Sequence, residues 1–254
     1  MSRKIPLFLT FYLFAGANLH AQMMRVLIPI SMPAEVSGAY GTIWKSDLWV
    51  HNGLDRGIPF YCFGNAGSFP LCDGIGAGAT EQPSKGVLSL SSSGALLLYL
   101  NFQQGEDPSQ FNFSCRLFEL SRHAQPAGVH IPVVRDGGFY KQPSRFIGIS
   151  GSAANRVALR VYDPDVYKRD GAVRVDLIDI HGVTIGSTTL HLQYRSVYEP
   201  GYAAVYDLAA AFPQLANVDR YDVRVTPLTS GLEYWAMVSV TDIDTQQVLL
   251  ITAD

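Results

Sequence analysis

The sequence predicts an all-β chain of two antiparallel β-sandwiches in tandem, with one short helix in the second. Three observations predict it. Apolar residues recur at every second position through most of the chain, the period of a half-buried strand. Runs of β-formers, bounded by Gly, Pro, Asn and Asp, follow one another at short intervals and almost without helix. One pattern also occurs twice: Val26-Leu27-Ile28-Pro29-Ile30 and Val129-His130-Ile131-Pro132-Val133 each break an apolar run with a proline after isoleucine. Proline has no N–H to give to a ladder, so each run reads as a first or edge strand that opens a sandwich. Ile131 lies 103 residues after Ile28, about the length of one immunoglobulin-like domain. The expected division is a leader at 1–21, a first sandwich at 22–127 and a second at 128–254.

The leader reads as a secretory signal. Arg3 and Lys4 precede an apolar run of twelve residues, Ile5 to Gly16, and Ala17-Asn18-Leu19-His20-Ala21 offers a cleavage position after Ala21. A membrane span needs about 20 apolar residues, so the run is too short for an anchor. No cysteine follows it to support lipoprotein processing. Two of the 19 basic residues lie in the leader, which leaves 17 against 22 acidic residues and a mature net charge of −5. That mild, dispersed acidity argues against nucleic acid, which demands a basic face. Charged residues make up 16% of the chain, below the roughly 25% usual for soluble domains. The polar surface then comes largely from Ser, Thr, Asn, Gln and Tyr.

Taken in order, Val26 to Ile30 is the opening strand. Trp44 to Asn52 alternates, with Trp44, Ser46, Leu48 and Val50 on one face and Lys45, Asp47, Trp49 and His51 on the other. Asn52-Gly53 and Asp55-Arg56-Gly57 turn the chain into a strand at Ile58 to Phe63. Gly64 to Gly86 reads as a long Gly-rich loop. Val87 to Leu90, Ala95 to Phe102 and Phe111 to Leu120 complete the first sandwich. In the second, strands follow at Phe146–Ile149, Arg156–Tyr162, Ala172–Ile180, Val183–Leu192, Tyr202–Tyr206, Tyr221–Val225, Leu232–Thr241 and Gln247–Thr252. His181-Gly182 suits a two-residue hairpin turn. Asp207 caps the one convincing helix and Pro213 stops it. A membrane barrel shares the alternation, but it needs strands of about ten residues with aromatic girdles, and many of these strands are shorter.

Cys62, Cys72 and Cys115 allow three pairings and leave one thiol over. Cys62 and Cys72 bracket a short Gly- and Pro-containing loop with little closure entropy, so Cys62–Cys72 is the expected disulfide. Cys115 alternates with Phe111, Phe113 and Leu117 and reads as a buried thiol. The rival, Cys62–Cys115, would bridge two sheets but lacks the tryptophan expected between its cysteines.

Catalytic signals are missing. Gly148-Ile149-Ser150-Gly151-Ser152 has the wrong last residue for a nucleophile elbow and no helix after it. Asp73-Gly74-Ile75-Gly76-Ala77-Gly78-Ala79 does not leave a parallel strand or open a helix, as a dinucleotide loop must. His51, His123, His130, His181 and His191 show no metal-ligand spacing, and His51 with Asp47 reads as a solvated strand face. Asp163-Pro164-Asp165 with Asp170-Gly171 supplies oxygens for calcium, but Lys168 and Arg169 stand where acids belong; Asp242 and Asp244 are weaker candidates still. The expectation is no metal and no cofactor. Trp49, Tyr61, Tyr140, Tyr162, Tyr167, Tyr194, Tyr198, Tyr202 and Tyr206 are mixed among polar residues, and exposed members could stack on sugars or anchor a partner.

Ser121-Arg122-His123-Ala124 leading into Gly128 to Arg135, Leu159-Arg160-Val161-Tyr162-Asp163-Pro164, and Tyr234 to Thr241 resemble segments of a group of uncharacterised secreted bacterial proteins with tandem immunoglobulin-like or fibronectin-III-like sandwiches. The resemblance implies that tandem architecture and agrees with the Cys62–Cys72 pairing. It brings no activity and no site. The expected role is therefore binding, adhesion or structure at the cell envelope or outside it, toward a protein or glycan, and without catalysis. The alternative is a carbohydrate-binding module, or a carbohydrate-active hydrolase using carboxylates such as Asp163, Asp165, Asp176 or Asp179. Such a hydrolase would need two acids about 5–10 Å apart in a cleft.

Overall fold

Strand alternation sorts the side chains of this chain into faces, and a computed structural model describes the result for residues 22–61, 71–83, 94–122, 126–165, 170–195 and 199–253. The leader, Cys62, Val87–Leu90, Lys168, Arg169, Tyr167 and Tyr198 lie outside the described residues, as does the side chain of Cys72.

The first sandwich comprises β1 (Gln22–Ile28), β2 (Val36–Ser37), β3 (Ile43–Asn52), β4 (Ile58–Tyr61), β5 (Leu71–Ile75), β6 (Thr80–Glu81), β7 (Leu96–Phe102), β8 (Phe111–Glu119), β9 (Val129–Ile131) and β10 (Val134–Arg135). One sheet runs β10-β1-β7-β4-β5 and the other β2-β3-β8-β9, with β6 added to β3. In β3, Trp44, Ser46, Leu48 and Val50 point inward as their spacing requires. The two sheets meet through Phe111 of β8, whose ring stands edge-on to Phe60 of β4 and Phe102 of β7, at 5.9 and 6.2 Å between centroids.

The second sandwich comprises β11 (Ser144–Ser150), β12 (Asn155–Asp163), β13 (Ala172–Asp179), β14 (Thr184–His191), β15 (Gly201–Val205), β16 (Arg220–Pro227), β17 (Trp235–Asp242) and β18 (Val248–Thr252). Its sheets run β11-β16-β13-β14 and β15-β12-β17-β18. The short helix spans Leu208–Ala211, and the Asp207 carboxylate accepts the Ala209 and Ala210 amides, as its N-cap role predicts. Pro213 ends that helix and begins a 3-10 turn, Pro213–Asn217. The all-β, antiparallel sandwich class is what the alternation predicts. The described strands form four separate sheets, and no described helix is long and apolar enough to cross a membrane.

Three details differ from the sequence expectation. The loop expected at 64–86 contains β5 and β6. Gly74 of β5 faces Pro59 of β4, and an added Cβ there would come within 3.1 Å of the Ile58 carbonyl; a bare backbone can pair where a side chain would crowd. The run expected to open the second sandwich instead closes the first. β9 is the edge strand on β8, β10 is the edge strand on β1, and Pro132 stands between them where the chain passes from one sheet to the other. The division of the sheets therefore falls between Arg135 and Ser144, not at 127/128. The two Ile-Pro segments do not head separate domains. β1 and β10 pair with each other, Val26 opposite Arg135 and Leu27 opposite Val134. β1 itself is an inner strand, with Pro29 just past its end, where no ladder bond is needed.

The sandwiches do not keep separate interiors either. Val157, Leu159 and Val161 of β12 enter the second core, whereas Tyr162, Tyr202, Trp235 and Met237 join the first. The sheet β15-β12-β17-β18 thus packs on both faces. The Tyr162 hydroxyl donates to the Pro29 carbonyl at 2.8 Å, and rings of Tyr202 and Trp235 lie 5.3 and 6.0 Å from that of Tyr162. A connector, residues 136–143, is fixed by paired backbone hydrogen bonds between Tyr140 and Tyr234, 2.7 and 2.9 Å. Arg25 of β1 bonds Asp136 and Glu233, both at 2.6 Å, and Lys141 reaches Glu233 at 2.9 Å. One charged cluster therefore ties first sandwich, connector and second sandwich together.

Candidate functional site

Where the shared sheet leaves Tyr162 behind and runs toward the start of β12, its packing on the first sandwich opens into a cavity of about 210 Å³. Ile30, Met32, Trp44 and Leu117 form the wall from the first sandwich, with Val36 to Ala39 at its rim. Arg156, Ala158 and Arg160 of β12, Ser239 and Thr241 of β17, Val248 and Leu250 of β18, and Tyr206 form the other wall. Strand period two explains that second wall. Positions 156, 158 and 160 share one face of β12 with Tyr162, opposite the aliphatic face of Val157, Leu159 and Val161.

The cations are held in place by neutral groups. Arg160 donates to Ser239 Oγ at 3.1 Å, and its guanidinium stands over the Tyr206 ring at 5.9 Å. Arg156 stands over the Tyr40 ring at 5.6 Å. Neither arginine meets a carboxylate among the described residues, and no Asp or Glu lines the cavity. Of Arg160's five N–H donors, one goes to Ser239 and another reaches the Tyr202 phenol. Behind it, the Tyr202 and Tyr206 hydroxyls lie 3.1 Å apart; burial first, and then that hydrogen bond, push the Tyr202 phenol above its ordinary range.

The rim is tightly built. Trp44 Nε1 donates to Thr42 Oγ1 at 2.8 Å. A Cβ on Gly38 would lie 2.4 Å from that oxygen and 2.6 Å from the indole nitrogen, so only glycine allows this approach. Tyr40 adopts a left-handed backbone, φ 56°, a conformation that costs a non-glycine residue energy and that gathers at clamps and switches. Arg122, which follows β8 in the first sandwich, donates to the carbonyls of Tyr40 at 3.1 Å and, across the junction, of Asp244 at 3.0 Å.

The acids considered for hydrolysis are engaged elsewhere. Asp163 is fully buried, accepting the Tyr194 hydroxyl at 2.5 Å and the Asp165 amide at 2.8 Å. Asp176 accepts Ser187 at 2.7 Å and Arg224 at 2.9 Å, and these bonds hold its carboxyl below the usual range despite burial, which acts the other way. Asp179 accepts the amides of His181 and Val183 and closes the β13–β14 turn. The structure brings none of Asp163, Asp165, Asp176 and Asp179 to the cavity. Asp242 accepts the Asp244 and Thr245 amides in a turn. His51 bonds Thr80, and Ser150 accepts the Ser152 amide and the Asn155 side chain in a turn after β11.

Cys115 is a buried free thiol, its Sγ 3.6 Å from the Ile30 carbonyl; burial, with Asp47 second, pushes it up to about 12. A thiol so raised is a poor nucleophile. The Cys62–Cys72 pairing falls outside the described side chains. Among the aromatic candidates, Tyr162 and Tyr202 are buried in the junction, and Trp49 and Tyr206 are exposed. Sequence reasoning missed Arg156, Arg160 and Tyr40. The signal available was two arginines at the polar positions of an otherwise apolar strand, which read equally well as solvated. Comparison with family models, curated proteins and solved structures returns no match.

Proposed function

We propose that this chain is an exported, non-enzymatic binding protein of the cell envelope or its exterior. Its two immunoglobulin-like sandwiches are clamped into one body, and their junction is the binding site. The observation that carries the reading is the cavity: concave, apolar on one side, with two arginines that no carboxylate among the described residues neutralises. Sites of this kind, mostly apolar with a few convergent polar groups, bind small ligands. Catalysis by paired carboxylates is disfavoured by the engagement of Asp163, Asp176 and Asp179 in the fold's own hydrogen bonds. Export rests on the leader, and oxidative folding there would close Cys62–Cys72 and leave Cys115 reduced.

Terminal sequencing of the protein recovered from envelope and culture fractions tests the reading together with mass mapping of non-reduced peptides. The expected result is a chain beginning at Gln22, with Cys62 linked to Cys72 and Cys115 alkylated only after unfolding. Recovery of the intact leader on a cytosolic protein overturns export. A Cys62–Cys115 linkage overturns the pairing.

A further inference from the structure

We infer that the junction cavity takes a small organic carboxylate with an apolar body, its head on Arg156 and Arg160 and its body against Trp44, Leu117 and Leu250. The inference deepens the binding reading above and rests on it. Four observations lead to it. First, both guanidinium groups are half-buried on one face of β12, and neither has a carboxylate partner among the described residues. A guanidinium is permanently charged and carries five N–H donors, so an anion from outside would complete the site.

Second, Arg156 and Arg160 each stand over a tyrosine ring, at 5.6 Å from Tyr40 and 5.9 Å from Tyr206, a contact to the ring face that does not consume a guanidinium N–H. The planar fork of a guanidinium matches a carboxylate. Third, the opposite wall is aliphatic and aromatic, which a bare inorganic anion would leave unused and which a sugar, polar on every side, would desolvate badly. Fourth, about 210 Å³ lies below the roughly 300–1,000 Å³ of sites for drug-sized ligands. The occupant is therefore short. Arg122 bonds Tyr40 on its own side and Asp244 across the junction, and Tyr40 in turn meets Arg156 of β12, so the rim belongs to both sandwiches and the site exists only where they meet.

The test is calorimetric titration of the purified full protein with octanoate, octanol, octylamine and acetate. Octanoate is expected to bind saturably and about tenfold or more tighter than octanol, since a hydrogen bond to a charged group is worth roughly that factor. Acetate, which has the head and no body, should bind far more weakly, and octylamine not measurably. Exchanging both arginines, Arg156→Gln with Arg160→Gln, is expected to bring octanoate down to the level of octanol and leave octanol unchanged. Leu250→Trp, which fills the apolar wall, should weaken both. Equal binding of octanoate and octanol by the native protein overturns the inference, as does undiminished octanoate binding by the double variant or no saturable binding at all. Should the double variant not fold, the comparison of the four probes on the native protein decides by itself. A chain found at the envelope with Gln22 at its start, yet indifferent to octanoate, sinks the ligand class and leaves the binding reading; a cytosolic chain with its leader intact that binds octanoate does the reverse.

Discussion

The two faces of β12 make the sharpest contrast in the molecule. One face presents Val157, Leu159 and Val161 to an aliphatic core built from both sheets of the second sandwich. The other presents Arg156, Ala158, Arg160 and Tyr162 to the first sandwich. Both faces are covered, but only the first is filled as a folding core is filled. On the second, coverage is close at Tyr162, whose ring and hydroxyl are both satisfied, and gives way to a cavity at Arg160 and Arg156. A filled core and a cavity lined by cations are thus separated by a single pleat. With no counter-charge among the described residues, the two guanidiniums add no ion pair to the fold, and it is the arginine end, not the tyrosine end, that is proposed to bind.

If that contrast is right, the aliphatic face should be the costlier to disturb. Leu159→Ala removes a fully buried side chain and leaves a void in the second core, between its two sheets. A loss of about 2–5 kcal/mol is expected, as for other buried leucines, read from the shift in the urea or thermal unfolding midpoint. A loss under about 1 kcal/mol would mean that the second sandwich has no interior of its own and that the distinction between the faces is misplaced.

The junction face is probed one step lower by Tyr162→Phe. The ring stays, and only the hydroxyl that donates to the Pro29 carbonyl is lost. Burial holds this phenol protonated far above its ordinary range, so the bond is neutral and insensitive to pH through the physiological window. Leaving a buried carbonyl without its donor costs roughly 1–3 kcal/mol. Parity with Leu159→Ala would show the junction to be a core like the other. No effect at all would show the two sandwiches to be only loosely apposed.

Much of this was legible in the residues. Period two in Trp44 to Asn52 and in Arg156 to Tyr162 predicts the strands and their faces, and Asp207 predicts the helix start down to the amides it accepts. Periodicity is a local property, and it failed where the answer depends on distant partners. Val129 to Arg135 has the pattern of a strand wherever it lies; only its pairing with Leu117 and Leu27 shows that it finishes the first sandwich. Asp73-Gly74-Ile75 reads as loop until Pro59 is placed opposite Gly74. The candidate site was the least legible part. Alternation marks positions 156, 158 and 160 as one face, but that face becomes a cavity wall only because a second sandwich is folded against it. Arg156 and Arg160 lack a carboxylate partner there because no acid among the described residues lines that wall.

The smallest effect expected is also the one that reports on the junction from outside it. Arg25, Asp136, Lys141 and Glu233 clamp the sandwiches at the surface, with the Glu233 side chain about a quarter exposed. The Lys141 ammonium first, and Arg25 after it, hold the Glu233 carboxyl below its ordinary range against the opposing effect of burial. A carboxyl depressed in the folded state stabilises that state above its unfolded value, about pH 4.3, and the contribution is lost as pH falls through the lower folded value. Glu233→Gln should therefore cost about 1 kcal/mol or less at neutral pH, in the range of exposed ion pairs. The difference in unfolding midpoint between variant and native protein should shrink as pH drops below about 4. A constant difference from pH 7 to pH 3 would show that the glutamate acts through packing and not charge. A larger loss, reaching that of Tyr162→Phe, would move the main hold between the sandwiches from the buried tyrosine to the surface clamp.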